Sequence, residues 1–156
     1  MNQNRRFLLK GTLAASAAGV AISAGLLTPK AAMAAWAKDA FTATDVNGAV
    51  TAAMGSADYT ESGEVKLKAP DIAENGAVVP VTVTSSLAGV ESIGILVSTN
   101  AQPLTATFNL GANTEADVST RIKMGKTADV IAVVKAGGKL YSARKQVKVT
   151  IGGCGG

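Results

Sequence analysis

The stretch Val130-Ile131-Ala132-Val133-Val134-Lys135-Ala136-Gly137-Gly138-Lys139-Leu140-Tyr141 decides the fold. Val130, Ala132 and Val134 alternate with Ile131 and Val133, so apolar side chains leave both sides of one strand, which must then be buried on both faces. Ala136-Gly137-Gly138 turns the chain into a last strand, where Tyr141, Ala143, Val147, Val149 and Ile151 share one face. Upstream the same period of two recurs. Val65, Leu67 and Ala69 alternate with Glu64, Lys66 and Lys68 until Pro70 stops them. Val79, Val81 and Val83 carry a second strand, in which Pro80 cannot donate to a ladder and points to an edge or a bulge. Ile93, Ile95 and Val97 define a third. Leu104, Ala106, Phe108 and Leu110 define a fourth, after the turn Asn100-Ala101-Gln102-Pro103. Val118, Thr120, Ile122 and Met124 define a fifth. Asp71-Ile72-Ala73-Glu74-Asn75-Gly76 reads as a tight connection, with Asn75-Gly76 suited to positive φ.

Ahead of the strands, Phe41, Val46, Val50 and Met54 recur at near-helical spacing between Trp36 and Gly55, which predicts one short helix. About seven short strands with turn signals between them predict an all-β, immunoglobulin-like sandwich with a short N-terminal helix. The Cys-Trp-Cys marker of antibody domains is absent, so the expectation rests on pattern.

Downstream of the last strand the chain reads Gly152-Gly153-Cys154-Gly155-Gly156. The only cysteine thus hangs on a glycine tail. Glycine accepts nearly every backbone conformation, so the tether is floppy and narrow. Five residues extend to roughly 17 Å, enough to enter a thin crevice on another molecule.

At the opposite end, Arg5 and Arg6 precede Phe7-Leu8-Leu9-Lys10 and an uncharged Ala/Gly-rich run from Gly11 to Leu27, and Ala32-Met33-Ala34 has the small-x-small pattern of a signal peptidase site. This reads as a twin-arginine signal. The run is too short and too weakly apolar for a spanning helix, which takes roughly 20 strongly apolar residues. Cleavage near Ala34 and Ala35 is expected, with no membrane anchor in the mature form and a periplasmic location. The divisions are then residues 1–34 as signal, 35–151 as sandwich and 152–156 as arm.

Loss of the leader removes Arg5, Arg6, Lys10 and Lys30. Lys+Arg falls from 15 to 11 and matches the 11 Asp+Glu, so the formal charge of +4 belongs to the leader. No electrostatic argument for nucleic acid survives that subtraction. Roughly 120 remaining residues make one domain with a core but no second one. One cysteine cannot form an internal disulfide, so the fold must hold by packing.

Conventional active-site chemistry has few candidates. The chain contains no histidine, which removes the commonest general base and metal ligand, and no zinc or haem ligand set exists. Asp39, Asp45, Glu61, Glu64, Glu74 and Glu91 show no paired spacing for acid/base work, and no Gly-rich loop joins a strand to a helix. No metal and no cofactor is therefore expected. Arg121, Lys123 and Lys126 could make a small basic patch, though such a run is more often a strand's wet face.

Chemistry therefore falls to Cys154. A free cysteine thiol with no neighbouring cation has a pKa of about 8.5, so only a small fraction is thiolate at neutral pH. Such a group is a poor catalyst but a competent attachment point, because a thiol can be joined oxidatively to another sulfur and released by attack at that bond. An inert tail, an intermolecular disulfide and an accidental oxidation site remain open on the residues alone.

The ending Lys148-Val149-Thr150-Ile151-Gly152-Gly153-Cys154-Gly155-Gly156, with Ala73-Glu74-Asn75-Gly76-Ala77-Val78-Val79-Pro80-Val81 and Arg121-Ile122-Lys123-Met124, closely resembles the SoxY family of the periplasmic sulfur-oxidising (Sox) system. The resemblance covers essentially the whole chain, and Gly-Gly-Cys-Gly-Gly is its most specific part. It implies that Cys154 is the covalent attachment site for thiosulfate-derived sulfur and that Gly152, Gly153, Gly155 and Gly156 form a swinging arm. It also implies a SoxZ-like subunit in a heterodimer, exported with this chain. A c-type cytochrome enzyme would load thiosulfate, a hydrolase would release sulfate, and a molybdenum-haem sulfur dehydrogenase would oxidise the remaining sulfane sulfur. The turn Asn100-Ala101-Gln102-Pro103 departs from the more proline-rich turn expected in relatives. The resemblance makes the chain a carrier and not an enzyme. A structural or adaptor sandwich would instead tolerate Cys154→Ser. A stand-alone sulfurtransferase would move sulfur to cyanide or a dithiol unaided, against which the missing activating groups argue.

Overall fold

The computed structural model describes residues 38–150. Two helices, α1 (Lys38–Thr42) and α2 (Val46–Met54), precede strands β1 (Tyr59–Glu61), β2 (Val65–Lys68), β3 (Ile72–Ala73), β4 (Val79–Ser85), β5 (Val90–Val97), β6 (Leu104–Asn109), β7 (Asp117–Ile122), β8 (Ala128–Ala136) and β9 (Lys139–Val149). The larger sheet has the order β1-β9-β8-β5-β6 with β3 also on β9, and the smaller has β2-β4-β7. The expected all-β sandwich is present.

Why β8 is apolar on both sides is now plain. Val130, Ala132 and Val134 enter the core between the sheets with Val79, Val81, Val83, Ile93 and Ile95. Ile131 and Val133 face the other way and pack with Val50, Met54, Leu96, Leu104 and Leu140 beneath the helices. Each fully buried Val or Ile contributes about 1.5–3 kcal/mol, so one strand anchors two clusters. In the adjacent β5, Gly94 leaves room for α2: a Cβ there would lie 2.8 Å from Met54 Cε. The β8–β9 turn is a two-residue loop between the paired Ala136 and Lys139. Gly137 (φ 55°) and Gly138 (φ 75°) both take the left-handed backbone that such a turn needs.

Four expectations change. The single helix is two, because Asp45 has extended backbone and its carboxylate accepts the Gly48 N–H at 2.7 Å, capping and starting α2. Gly55 does end it, at φ 90° with its N–H on Thr51 O. Second, the connection from Asp71 to Gly76 contains β3, which lies parallel to β9 with Ile72 opposite Lys148 and Ala73 opposite Val149. A short parallel β1 lies on the start of β9. Two- and three-residue strands leave no periodicity to read. Third, Gly76 does not take positive φ. Its need is steric: an added Cβ would run into the Met124 carbonyl oxygen and reach 2.9 Å from Val149 Cγ1. Asn75 shapes the turn through its side chain, which accepts the Ala77 N–H at 2.9 Å. Fourth, Pro80 sits in the middle strand of the smaller sheet, not an edge strand. The nearest rung to β2 pairs Lys68 with Thr82, so one flank of β4 is unpaired at Pro80 and the missing N–H is tolerated there.

Candidate functional site

Cys154 and the glycines Gly152, Gly153, Gly155 and Gly156 lie outside the described residues, as do Ile151, Arg5, Arg6 and the whole of residues 1–34. What the structure describes is the seat from which residue 151 departs. Here β4 begins, β5, β7 and β9 end and β8 begins, so all meet at one pole of the sandwich.

Both flanks of the end of β9 are tied. On one side Lys148 N–H donates to Asp71 O at 2.9 Å and Thr150 N–H donates to Ala73 O at 3.1 Å, continuing the parallel pairing with β3. On the other side the β8 ladder stops at Ala128 opposite Val147. Thr127 supplies the next rung with its side chain: its hydroxyl oxygen accepts Val149 N–H at 3.0 Å and lies 3.5 Å from Val149 O. Beneath Val149, Gly76 is held by Met124 N–H, which donates to Gly76 O at 2.7 Å. Asn100 braces this layer by donating from Nδ2 to Lys123 O at 2.8 Å and accepting Gly125 N–H at 3.3 Å.

Lys145 closes the seat laterally. It has the same strand parity as the inward-facing Ala143 and Val147, yet it lies where the chain leaves the smaller sheet after Lys68 and joins the larger one at Ile72. Its stem is therefore half-buried while its amine emerges between the sheets. Nζ donates to Ala69 O at 2.6 Å and lies 2.9 Å from Asp71 Oδ1. The Asp71 side chain is 89% exposed, so solvent screens that ion pair and the bond to the Ala69 carbonyl matters more.

Charge is distributed unevenly around this seat. Among the described residues, Asp71 is paired with Lys145 and Asp129 lies 4.0 Å from Arg144. Arg121, Lys123, Lys126 and Lys148 are exposed at the same pole with no ion pair, against the single unpaired acid Glu74. Arg121, Lys123 and Lys126 lie along the end of β7 and the turn into β8, and Lys148 lies near the end of β9. Acids gather at the far pole, together with Lys135 and Lys139. There Glu91, Glu115 and Asp117 line an open cleft of about 850 Å³ with Thr84, Leu110 and Asn113. Glu91 lies 3.7 Å from Lys135, and Asp45 is spent on its helix cap. Among the described residues no three His, Cys, Asp or Glu side chains gather to hold a metal ion, and no helix is long and apolar enough to cross a membrane.

The residues of this seat that sequence reasoning missed are Gly76, Asn100, Thr127, Lys145 and the β3 pair. Of these, Gly76, Asn100 and the β3 pair were visible only as residues of a turn or connection, for different physical reasons from those the structure shows.

Comparison with known proteins gives a family and a fold. The family described as Sulfur oxidation protein SoxY matches residues 50–154. The solved sulfur carrier protein SoxY from Chlorobium limicola f thiosulfatophilum is 47% identical, over 66% of this chain and 94% of that one, with a TM-score of 0.60. A superoxide reductase (neelaredoxin) from Ignicoccus hospitalis is 20% identical over 59% of this chain and 81% of that chain, at a TM-score of 0.49. No curated protein matches.

Proposed function

The chain belongs to the SoxY family of sulfur oxidation proteins, and from that premise we propose that it is a sulfur carrier that holds thiosulfate-derived intermediates on Cys154 and presents them to partner enzymes. One observation carries this reading: the stretch that matches the family runs through β9 and its seat and ends on Cys154 itself. The similar structure from Chlorobium is that of a sulfur carrier protein.

The chemistry asks little of the domain. In loading, a bond forms between Cys154 Sγ and the outer, sulfane sulfur of thiosulfate. The thiol proton is released and an electron pair passes to a c-type cytochrome enzyme. Water then attacks the sulfonate sulfur, the bond between it and the sulfane sulfur breaks, and sulfate leaves while Cys154 keeps a persulfide. A sulfur dehydrogenase of the Sox system then takes electrons from that sulfane sulfur while water supplies the oxygens of a new sulfonate, and a second hydrolysis releases sulfate and returns the Cys154 thiol. With a thiol of ordinary acidity and no base beside it in sequence, activation is the work of the partner's pocket. The domain contributes a fixed point of departure, and Gly152, Gly153, Gly155 and Gly156 contribute reach. A SoxZ-like subunit completes the carrier, and the twin-arginine signal of residues 1–34 places both in the periplasm.

The test is mass spectrometry of the mature protein, with its co-purifying subunit, after incubation with thiosulfate and the cytochrome enzyme. A mass gain confined to the peptide containing Cys154 is expected, and it disappears in Cys154→Ser. A gain on another peptide, or one that persists in the serine variant, overturns the carrier role.

A further inference from the structure

We propose that the pole from which the arm departs is a docking surface for acidic protein partners, with an apolar centre at Ile72 and Val78 and a cationic rim of Arg121, Lys123, Lys126 and Lys148. The proposal rests on the carrier reading for its purpose but on separate observations for its existence.

Ile72 and Val78 are 56% and 49% exposed and are the large hydrophobic side chains that the described residues leave in solvent. Both flank the seat. Ile72 is the outward-facing residue of β3, directly opposite Lys148. Val78 leaves the turn of Asn75, where its N–H donates to Asn75 O at 3.3 Å. Isoleucine and valine in this place contribute nothing to either core cluster, whereas the neighbours Ala73 and Val79 are both buried in one. The rim is assembled by the same hydrogen bonds that build the seat. Arg121 pairs with Pro80, two residues from Val78. The segment carrying Lys123 and Lys126 is tied to Gly76 through Met124 and to Val149 through Thr127. An apolar centre inside a charged rim is the anatomy of a protein interface.

The sign of the rim selects the partner. With 11 Lys+Arg and 11 Asp+Glu left once Arg5, Arg6, Lys10 and Lys30 are set aside, the domain has no overall charge to place. Four of its cations that have no ion pair among the described residues, Arg121, Lys123, Lys126 and Lys148, nevertheless collect at the arm pole, while Glu91, Glu115 and Asp117 lie at the other with Lys135 and Lys139. A small anion gains little from exposed lysines in water, because each interaction is screened. A broad acidic surface gains from all of them at once, and such complementarity acts chiefly on the rate of encounter. An enzyme whose pocket mouth is ringed by Asp and Glu would therefore be met arm first.

The experiment uses the mature protein with its co-purifying subunit and the thiosulfate-coupling cytochrome enzyme. The variants are Lys123→Glu with Lys126→Glu, Lys148→Glu, Ile72→Ser and, at the far pole, Glu115→Lys. We expect the lysine variants to lose about tenfold or more in kcat/KM for loading at low salt, with the difference closing at high salt. Ile72→Ser should raise KM at every salt concentration, and Glu115→Lys should change neither. Reaction of Cys154 with a small disulfide reagent should stay at the wild-type rate in all of them. Lysine variants that load normally at low salt overturn the docking surface. So does a loss shared by the small reagent, which would place the effect on the arm or on small anions. Binding of the enzyme to Cys154→Ser, titrated against salt, separates the two readings. Salt-dependent binding without any loading in the wild type sinks the carrier role and keeps the surface, and salt-independent binding sinks the surface.

Discussion

The two poles of the sandwich are built in opposite ways. At one, Asn113 (φ 64°) and Gly89 (φ 67°) bend long loops around an open cleft of about 850 Å³. At the other, β3, Thr127 and Gly76 close on Val149 from several directions, and Lys145 ties down the chain leading into β3. The ordinary expectation is that function sits in a concavity. Here the family match runs past the tied-down pole to residue 154 instead, and on the carrier reading proposed above that pole would root the arm while the pocket would belong to another molecule. The far cleft offers acids and hydroxyls but no histidine, thiol or convergent metal set to use them.

Changes at the arm pole should therefore be felt, and matching changes at the cleft should not. The largest effect is expected from replacing Gly152 and Gly153 by proline. Turnover by every partner enzyme should drop by about tenfold or more, since small misplacements of a reacting atom are costly, while the thermal melt stays unchanged. Unaltered turnover would show that reach alone matters. Next comes Gly76→Ala, which forces a methyl group into the Met124 carbonyl and Val149. A loss of about 1–3 kcal/mol in urea denaturation is expected. The far-pole match, Gly111→Ala, places its Cβ 3.5 Å from Thr114 Oγ1 and should stay within about 0.5 kcal/mol. Equal losses at the two sites would erase the distinction between the poles.

A smaller effect is expected from Lys145→Met, which keeps most of the packing and removes the bond to Ala69. About 1 kcal/mol should be lost, with faster hydrogen exchange at the Lys148 and Thr150 amides, because β3 is released. Smallest is Lys135→Met. Its amine stands 3.7 Å from Glu91 and 3.5 Å from Met54 O, so no more than about 0.5 kcal/mol should follow, with no change at those amides.

How much of this could be read from the residues depended on whether the cause was local. The double burial of β8 and its turn at Gly137-Gly138 were legible, because alternation and a glycine pair carry their own geometry. Cys154 stood out in the sequence as the only cysteine, though it lies outside the described residues. The start of α2 was in principle visible in Asp45-Val46-Asn47-Gly48, where the carboxylate bonds only three positions ahead, but the apolar spacing across it favoured one continuous helix. Bonds of long sequence separation left no trace. Asn100 reaches Lys123 O across 23 positions and Thr127 reaches Val149 across 22. Lys145 interrupts the apolar face of Tyr141, Ala143 and Val147, and only the crossing of the chain between sheets gives its amine somewhere to go. The balance of charge was misleading in another way, since the equal 11 Lys+Arg and 11 Asp+Glu of residues 38–150 concealed that unpaired cations outnumber acids at the arm pole while Glu91, Glu115 and Asp117 cluster at the other.

That separation governs how the molecule tumbles. A body without net charge is not drawn toward a distant charged surface, yet one with opposite signs at its ends feels a torque in that surface's field and rotates before contact. Dissolved salt would then alter the fraction of collisions that arrive in a useful attitude more than the number of collisions. A carrier visiting several enzymes in turn would thus spend less of each encounter searching for the correct facing.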